Sequence, residues 1–325
     1  MNISFLKYLM DPKTGENFEL TVKKEEGGEI IEGELKSVSN TYPIVRGIPR
    51  FAGFTDNGGY TESFGFEWNK WPRLQFEDQN IGRPMQGHTL KMWEQITGQG
   101  KTDLSGKVIA DFGCGPGRFL DIVRKKGGRA IGLDMSSAVE AARKNFPNDP
   151  NILICQADVL QSPIKPNSMD GTFSIGVLHH TSSPQTGFRE MAKTVKPGGW
   201  IALAVYGPGG HYGDKLVNLY RRLFKKLTPT FGHWPPLIYT YFTVFCIRPF
   251  LRMPILKYPA NVLKIFFPFI NLPDIRWSIL DTFDSITPAN QSGHSAYEVY
   301  HWFKDENLKN IEPSEWGAPT TRAIK

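Results

Sequence analysis

The chain has 325 residues, room for one large domain or two ordinary ones with a sizeable buried core. Its 40% hydrophobic and 22% charged residues exclude a disordered chain, and its net charge of +6 is modestly basic. Three widely spaced cysteines, Cys114, Cys155 and Cys246, offer neither a disulfide framework nor metal-ligand spacing. A reducing cytoplasm is therefore expected, as no export-like leader opens the chain and the longest charge-free apolar run, 237–247, is too short to span a bilayer.

In chain order, residues 1–53 read as a small β module, with strand pieces at 30–31 and 42–45 between turns. Residues 54–104 form an aromatic lead-in whose later part, 87–97, is predicted helical. From residue 105 onward, apolar runs alternate with helical patterns. Strands are predicted at 108–112, 129–133, 152–155, 171–177 and 200–205, and helices at 119–123, 136–145 and 188–195. Such alternation predicts an α/β fold with a parallel sheet covered by helices on both faces. Within 207–280 lies an expected helical insertion or lid. Its 207–270 stretch holds nine basic residues and one acid, so 9 − 1 = +8, more than the whole chain carries. A helix at 295–305 and a closing hairpin of 308–313 with 320–324 are expected to end the domain, 105–325.

The segment Val108-Ile109-Ala110-Asp111-Phe112-Gly113-Cys114-Gly115-Pro116-Gly117-Arg118-Phe119 places an acid at a strand end, then Gly-x-Gly-x-Gly, then a helix. Backbone can thus approach a ligand closely. A dinucleotide fingerprint needs its third glycine one residue later, where Arg118 stands, so the loop suits a cofactor without a pyrophosphate. Asp134 and Asp158 follow the next two strands. The first suits a ribose diol and the second an adenine amine.

From Asp111 to Tyr206 the chain resembles class I S-adenosylmethionine-dependent methyltransferases. That resemblance implies a Rossmann-like doubly wound sheet closed by an antiparallel hairpin, and S-adenosyl-L-methionine as cofactor. Carried over residue by residue, it implies that Asp111, Gly113, Gly115 and Gly117 border the methionine part. Asp134 with Met135 would hold the ribose, and Asp158 with Val159 the adenine. Gly176 would lie where the fourth strand opens onto the methyl group. Residues 1–53 resemble a zinc-ribbon-like module found beside some methyltransferases, yet Asp11, Thr14 and the 37–40 stretch stand where cysteine pairs would be. No metal is expected.

His179 and His180, just after the fourth strand, are the candidate general bases. Tyr206, Asp281, Asp284, Gln291 and His294 are the candidate acceptor residues. The reading expects methyl transfer to an oxygen or nitrogen of a small molecule, with sugars and lipid-linked acceptors among the candidates. Peripheral membrane contact through 207–270 is expected and nucleic acid disfavoured, because the fourth strand lacks the Asn/Asp-Pro-Pro-aromatic loop of many base amino-methyltransferases. A non-catalytic cofactor-binding scaffold is the alternative. An NAD-dependent oxidoreductase is a third reading, disfavoured by the glycine spacing.

Overall fold

The structure is a computed structural model that describes residues 1–52, 61–253, 255–317 and 319–325. The boundary expected at 53–54 lies outside the described residues. Four strands, β1 (Glu19–Glu26), β2 (Glu29–Lys36), β3 (Thr41–Val45) and β4 (Ile48–Pro49), form an N-terminal antiparallel sheet. Their apolar side chains, including Leu35 and Ile44, share one core with Ile131 and Leu153 of the main sheet. Arg50 adds a polar tie. It donates to Gln156 Oε1 at 2.9 Å and pairs with Glu140 at 2.6 Å.

The positions expected for zinc ligands hold a buried carboxylate instead. Asp11 accepts hydrogen bonds from Ser37 Oγ, Asn40 Nδ2 and Tyr42 Oη at 2.6, 2.8 and 2.9 Å. Burial alone would raise its pKa, but these donors and the Lys13 amide outweigh that and hold it below the usual carboxylate range.

Two helices follow, α1 (Glu62–Lys70) and α2 (His88–Thr97), before the main sheet. That sheet contains β5 (Val108–Phe112), β6 (Arg129–Asp134), β7 (Ile152–Gln156), β8 (Met169–Ile175), β9 (Val195–Ala204), β10 (Lys309–Pro313) and β11 (Thr320–Ile324). Its spatial order is β10-β11-β9-β8-β5-β6-β7. β5 pairs in parallel with β6 on one side and β8 on the other, while β11 pairs antiparallel with β9. Strand order thus reverses beside β5, and a ligand crevice opens beyond the carboxyl ends of such strands.

Every residue of β5 is buried, because both sheet faces are covered. Val108, Ala110 and Phe112 face a core shared with the N-terminal sheet and with α5 (Pro184–Thr194) and α11 (Ala296–Asp305), whereas Ile109 joins the opposite core with α2 and α3 (Arg118–Lys125). α4 (Ala138–Asn145) links β6 to β7. The fold is thus the expected Rossmann-like α/β sheet with an N-terminal antiparallel sheet.

One boundary differs from expectation. β9 begins at Val195 rather than residue 200, directly after α5. Gly198 donates to Lys325 O and Lys325 donates to Gly199 O, so the Pro197-Gly198-Gly199 stretch between the two expected elements is paired and absorbed as a register shift.

Between β9 and α11 stand α6 (Gly210–Gly213), α7 (Lys215–Phe231), α8 (Trp234–Phe242), α9 (Lys257–Phe266) and α10 (Ile275–Ile286). Asp214 caps α7, accepting from Leu216 N and Val217 N. Val217, Phe224, Tyr239 and Ile286 make a separate small core, while Trp234, Ile238, Tyr258 and Ile265 are exposed. Among the described residues no helix is long and apolar enough to cross a membrane.

Candidate active site

The Gly-rich loop joins β5 to α3 through three residues with positive φ, Gly113, Gly115 and Gly117. At Gly113 a Cβ would lie 2.3 Å from the Val177 side chain, and at Gly117 2.5 Å from the Phe146 ring. Backbone conformation and space both require glycine at these two positions. Asp134, at the end of β6, locks the loop by accepting from Gly115 N at 2.9 Å. Its other oxygen accepts from the Ser136 amide and hydroxyl. Ser136 was expected to open a helix; α4 begins two residues later, at Ala138, whose amide donates to Ser136 Oγ at 3.2 Å while that hydroxyl donates to Asp134.

A cavity of about 260 Å³ opens over this loop. Of the residues expected to hold the cofactor, Gly113, Gly115, Asp134, Met135, Asp158, Val159 and Gly176 line it. Asp158 orders its own turn by accepting from Leu160 N at 2.9 Å. Asp111 and Gly117 stand behind the wall. Asp111 is buried with Oδ2 unpartnered, and burial pushes its carboxyl well up although Arg118 pulls it down.

The two histidines separate. His180 lines the cavity, with Nδ1 donating to Asn290 O at 2.9 Å and Nε2 unpartnered. With Nδ1 as the donor, the Nε2 lone pair is the free one. Burial lowers its pKa to about 4, so the ring is neutral at pH 7. His179 lies outside the lining, fully buried against Tyr206 with ring centroids 3.8 Å apart.

Tyr206, Asp281 and Asp284 do reach the cavity, the last two from α10. The Tyr206 hydroxyl donates to Asp284 Oδ2 at 3.4 Å. Burial pushes Asp281 up to about 7, with Asp284 adding repulsion, and Asp284 up to about 6, against the pull of Arg221. Gln291 and His294 do not line the cavity. Gln291 donates to Tyr212 O at 3.0 Å and the His294 amide donates to Tyr206 O at 2.9 Å, so both brace the tyrosines from behind.

Sequence reasoning missed several lining residues. Phe64, Glu67 and Trp68 come from one face of α1, and Tyr212 follows α6 onset with its ring 4.0 Å from Tyr206. Arg118 counted only as an absent glycine, yet it lines the cavity and bonds Gln75 Oε1. The i, i+3, i+4 spacing of 64, 67 and 68 was the available signal.

Residues 110–203 match the family model described as a methyltransferase domain. The probable tRNA methyltransferase 9B of Bos taurus is 32% identical over 120 residues, covering 36% of this chain and 25% of that protein. The ribosomal protein L11 methyltransferase of Burkholderia mallei is 36% identical over 120 residues, covering 36% of this chain and 37% of that one. A solved complex between the Haloferax volcanii Trm112 methyltransferase activator and a methyltransferase aligns with TM-score 0.45 and 16% identity, over 81% of this chain and 97% of its own. The chain thus spans less than two-fifths of the length of these two curated relatives.

The matched segment, under a third of the chain, is similar to a methyltransferase domain. S-adenosyl-L-methionine is its cofactor, and the structure fits that group: a glycine loop that admits no Cβ at Gly113 or Gly117, and a strand-end carboxylate anchored beside it. The relatives correct one expectation. Their named acceptors are tRNA and a ribosomal protein, which overturns the small-molecule acceptor with nucleic acid disfavoured. The physical reason is that the loop after the fourth strand reports on one kind of base chemistry only, while the rest of that reading rested on a fold half shared by all acceptor classes.

Proposed function

We propose that this chain is a cytoplasmic S-adenosylmethionine-dependent methyltransferase acting on an oxygen or nitrogen atom of a macromolecule. The observation that carries the reading is the cavity itself. One end is walled by the glycine loop, Asp134 and Asp158, and the other by Tyr206, Asp281 and Asp284. The residues expected at the cofactor and those expected at the acceptor thus line one cavity. The names of the relatives support a macromolecular acceptor. So does the insertion, which leaves Trp234, Ile238, Tyr258 and Ile265 exposed. Three unpaired cysteines support a reducing compartment.

Bound in this crevice, the cofactor supplies an electrophilic sulfonium methyl. The chain's own part is alignment and exclusion of water. Asp134 would hold the ribose diol and keep the loop in place. Asp158 would accept from the adenine amine. His180 offers a neutral nitrogen to the cavity that orients a nucleophile by accepting its hydrogen.

The test is release of S-adenosylhomocysteine when purified protein is given labelled S-adenosylmethionine with total tRNA or ribosomal protein. Acceptor-dependent release with label on the macromolecule is the expected result. Binding of the cofactor with no transfer to either would leave a scaffold and overturn the catalytic reading.

A further inference from the structure

Glu67 is a buried group to which the proposed mechanism gives no part. It sits on α1, is 0% exposed, lines the cavity, and neither of its carboxylate oxygens has a hydrogen-bond partner. A buried carboxyl left without a hydrogen-bond partner is costly to the fold, and a ligand in the cavity would satisfy it. Burial raises its pKa well above the usual range, and the neighbouring Asp284 and Asp281 raise it further. Three carboxyls from two helices therefore converge on one space.

We infer that Glu67, Asp281 and Asp284 form an anionic acceptor subsite that takes an aliphatic amine of a polypeptide, held as its ammonium ion beside the Tyr206 and Tyr212 rings. The inference rests on the methyltransferase reading above and names its acceptor group. Carboxylates paired with aromatic faces are the chemistry that recognises an ammonium group. Charged or titratable groups facing the cluster are Arg118 from α3, Arg221 from α7, His180 after β8, and the two tyrosines.

The chemistry balances. The ammonium gives one proton to Asp281 or Asp284. The freed nitrogen lone pair then forms a bond to the methyl carbon while the carbon–sulfur bond breaks and its electron pair stays on sulfur. A methylammonium, a neutral thioether and a protonated carboxyl result. His180 is not the proton acceptor in this step: at about 4 its pKa lies below those of Asp281 and Asp284, near 7 and 6, so the carboxyls hold the proton better.

The experiment is calorimetric titration of the full chain, saturated with S-adenosylhomocysteine, with N-acetyl-lysine methylamide and its uncharged norleucine analogue. The lysine probe is expected to bind at least about tenfold more tightly. It should also release protons, seen as an enthalpy that varies with the buffer's ionisation heat. Glu67→Gln should erase the preference while leaving S-adenosylhomocysteine affinity within about twofold. Asp284→Asn serves as the second variant should Glu67→Gln fail to fold. Equal affinity for the two probes, or no binding of the lysine probe to the loaded protein, overturns the inference alone. Loss of S-adenosylhomocysteine affinity in folded Glu67→Gln places Glu67 on the cofactor and overturns it too. A wild-type chain that never binds S-adenosylhomocysteine overturns both readings.

Discussion

Asp281 is a residue whose service to the site costs the fold. Burial, and then the charge of Asp284, lifts its folded pKa to about 7, above the value it would have unfolded. A group raised in this way contributes stability that is fully present below the unfolded pKa and lost as pH rises through the folded one. The loss window runs from about pH 4 to about pH 7. Asp281→Asn should therefore melt a few degrees above wild type at about pH 8 and close to it at about pH 4, by scanning calorimetry. A lower melting temperature at the higher pH would contradict the assignment of a buried, unfavourably charged carboxyl.

His180 has the opposite sign. Its folded pKa, about 4, lies below the free value, so the stability it gives is present above the unfolded pKa and lost as pH falls toward 4. On the proposed mechanism it orients rather than deprotonates. His180→Gln should cut kcat about tenfold while the acid limb of the rate profile stays where the carboxyls put it. If the limb vanished with the histidine, His180 would be the base.

Elements differ in how openly the sequence declares them. β5 and β7 were readable because strands buried on both faces are short apolar runs, and Asp134 was readable because it ends one. β1 was not: seven of its eight residues are exposed, so no alternation marks a strand that is held by backbone pairing to β2. The Asp11 node was legible only as missing cysteines. Three side chains 26 to 31 residues away donate to it, which no local pattern encodes. Asp11→Ala would orphan Ser37, Asn40 and Tyr42 and should cost about 2–4 kcal/mol in denaturant unfolding. Chelator should leave the melting temperature of the wild type unchanged; a drop of several degrees would mean that the N-terminal sheet holds a metal after all.

At the scale of the whole molecule, the cofactor half of the cavity was legible, and of the acceptor half Tyr206, Asp281 and Asp284 were. Gly113 to Gly117, Asp134 and Asp158 lie on consecutive strand ends, so chain order maps onto space. Glu67, Arg118, Tyr212 and Asp284 are brought together from α1, α3, the α6 turn and α10, and only folding juxtaposes them. Charge is divided in the same way. Residues 207–270 carry +8 while the remainder is slightly acidic, so a macromolecular acceptor engaging that face should bind more weakly as salt rises. KM for the acceptor should increase between low and physiological ionic strength with kcat little changed, and Lys225→Glu with Lys226→Glu should flatten that dependence. A salt-independent KM would remove the insertion from acceptor binding.

Asp134 connects all three scales, since one carboxylate fixes the glycine loop, ends a central strand and faces the crevice where the strand order reverses. The most direct measurement is calorimetric binding of S-adenosyl-L-methionine to the full chain and to Asp134→Ala. Saturable binding to wild type, weakened by at least about a hundredfold in a folded Asp134→Ala, is the predicted result. Undiminished affinity in the variant, or no binding to well-folded wild type, would contradict the account.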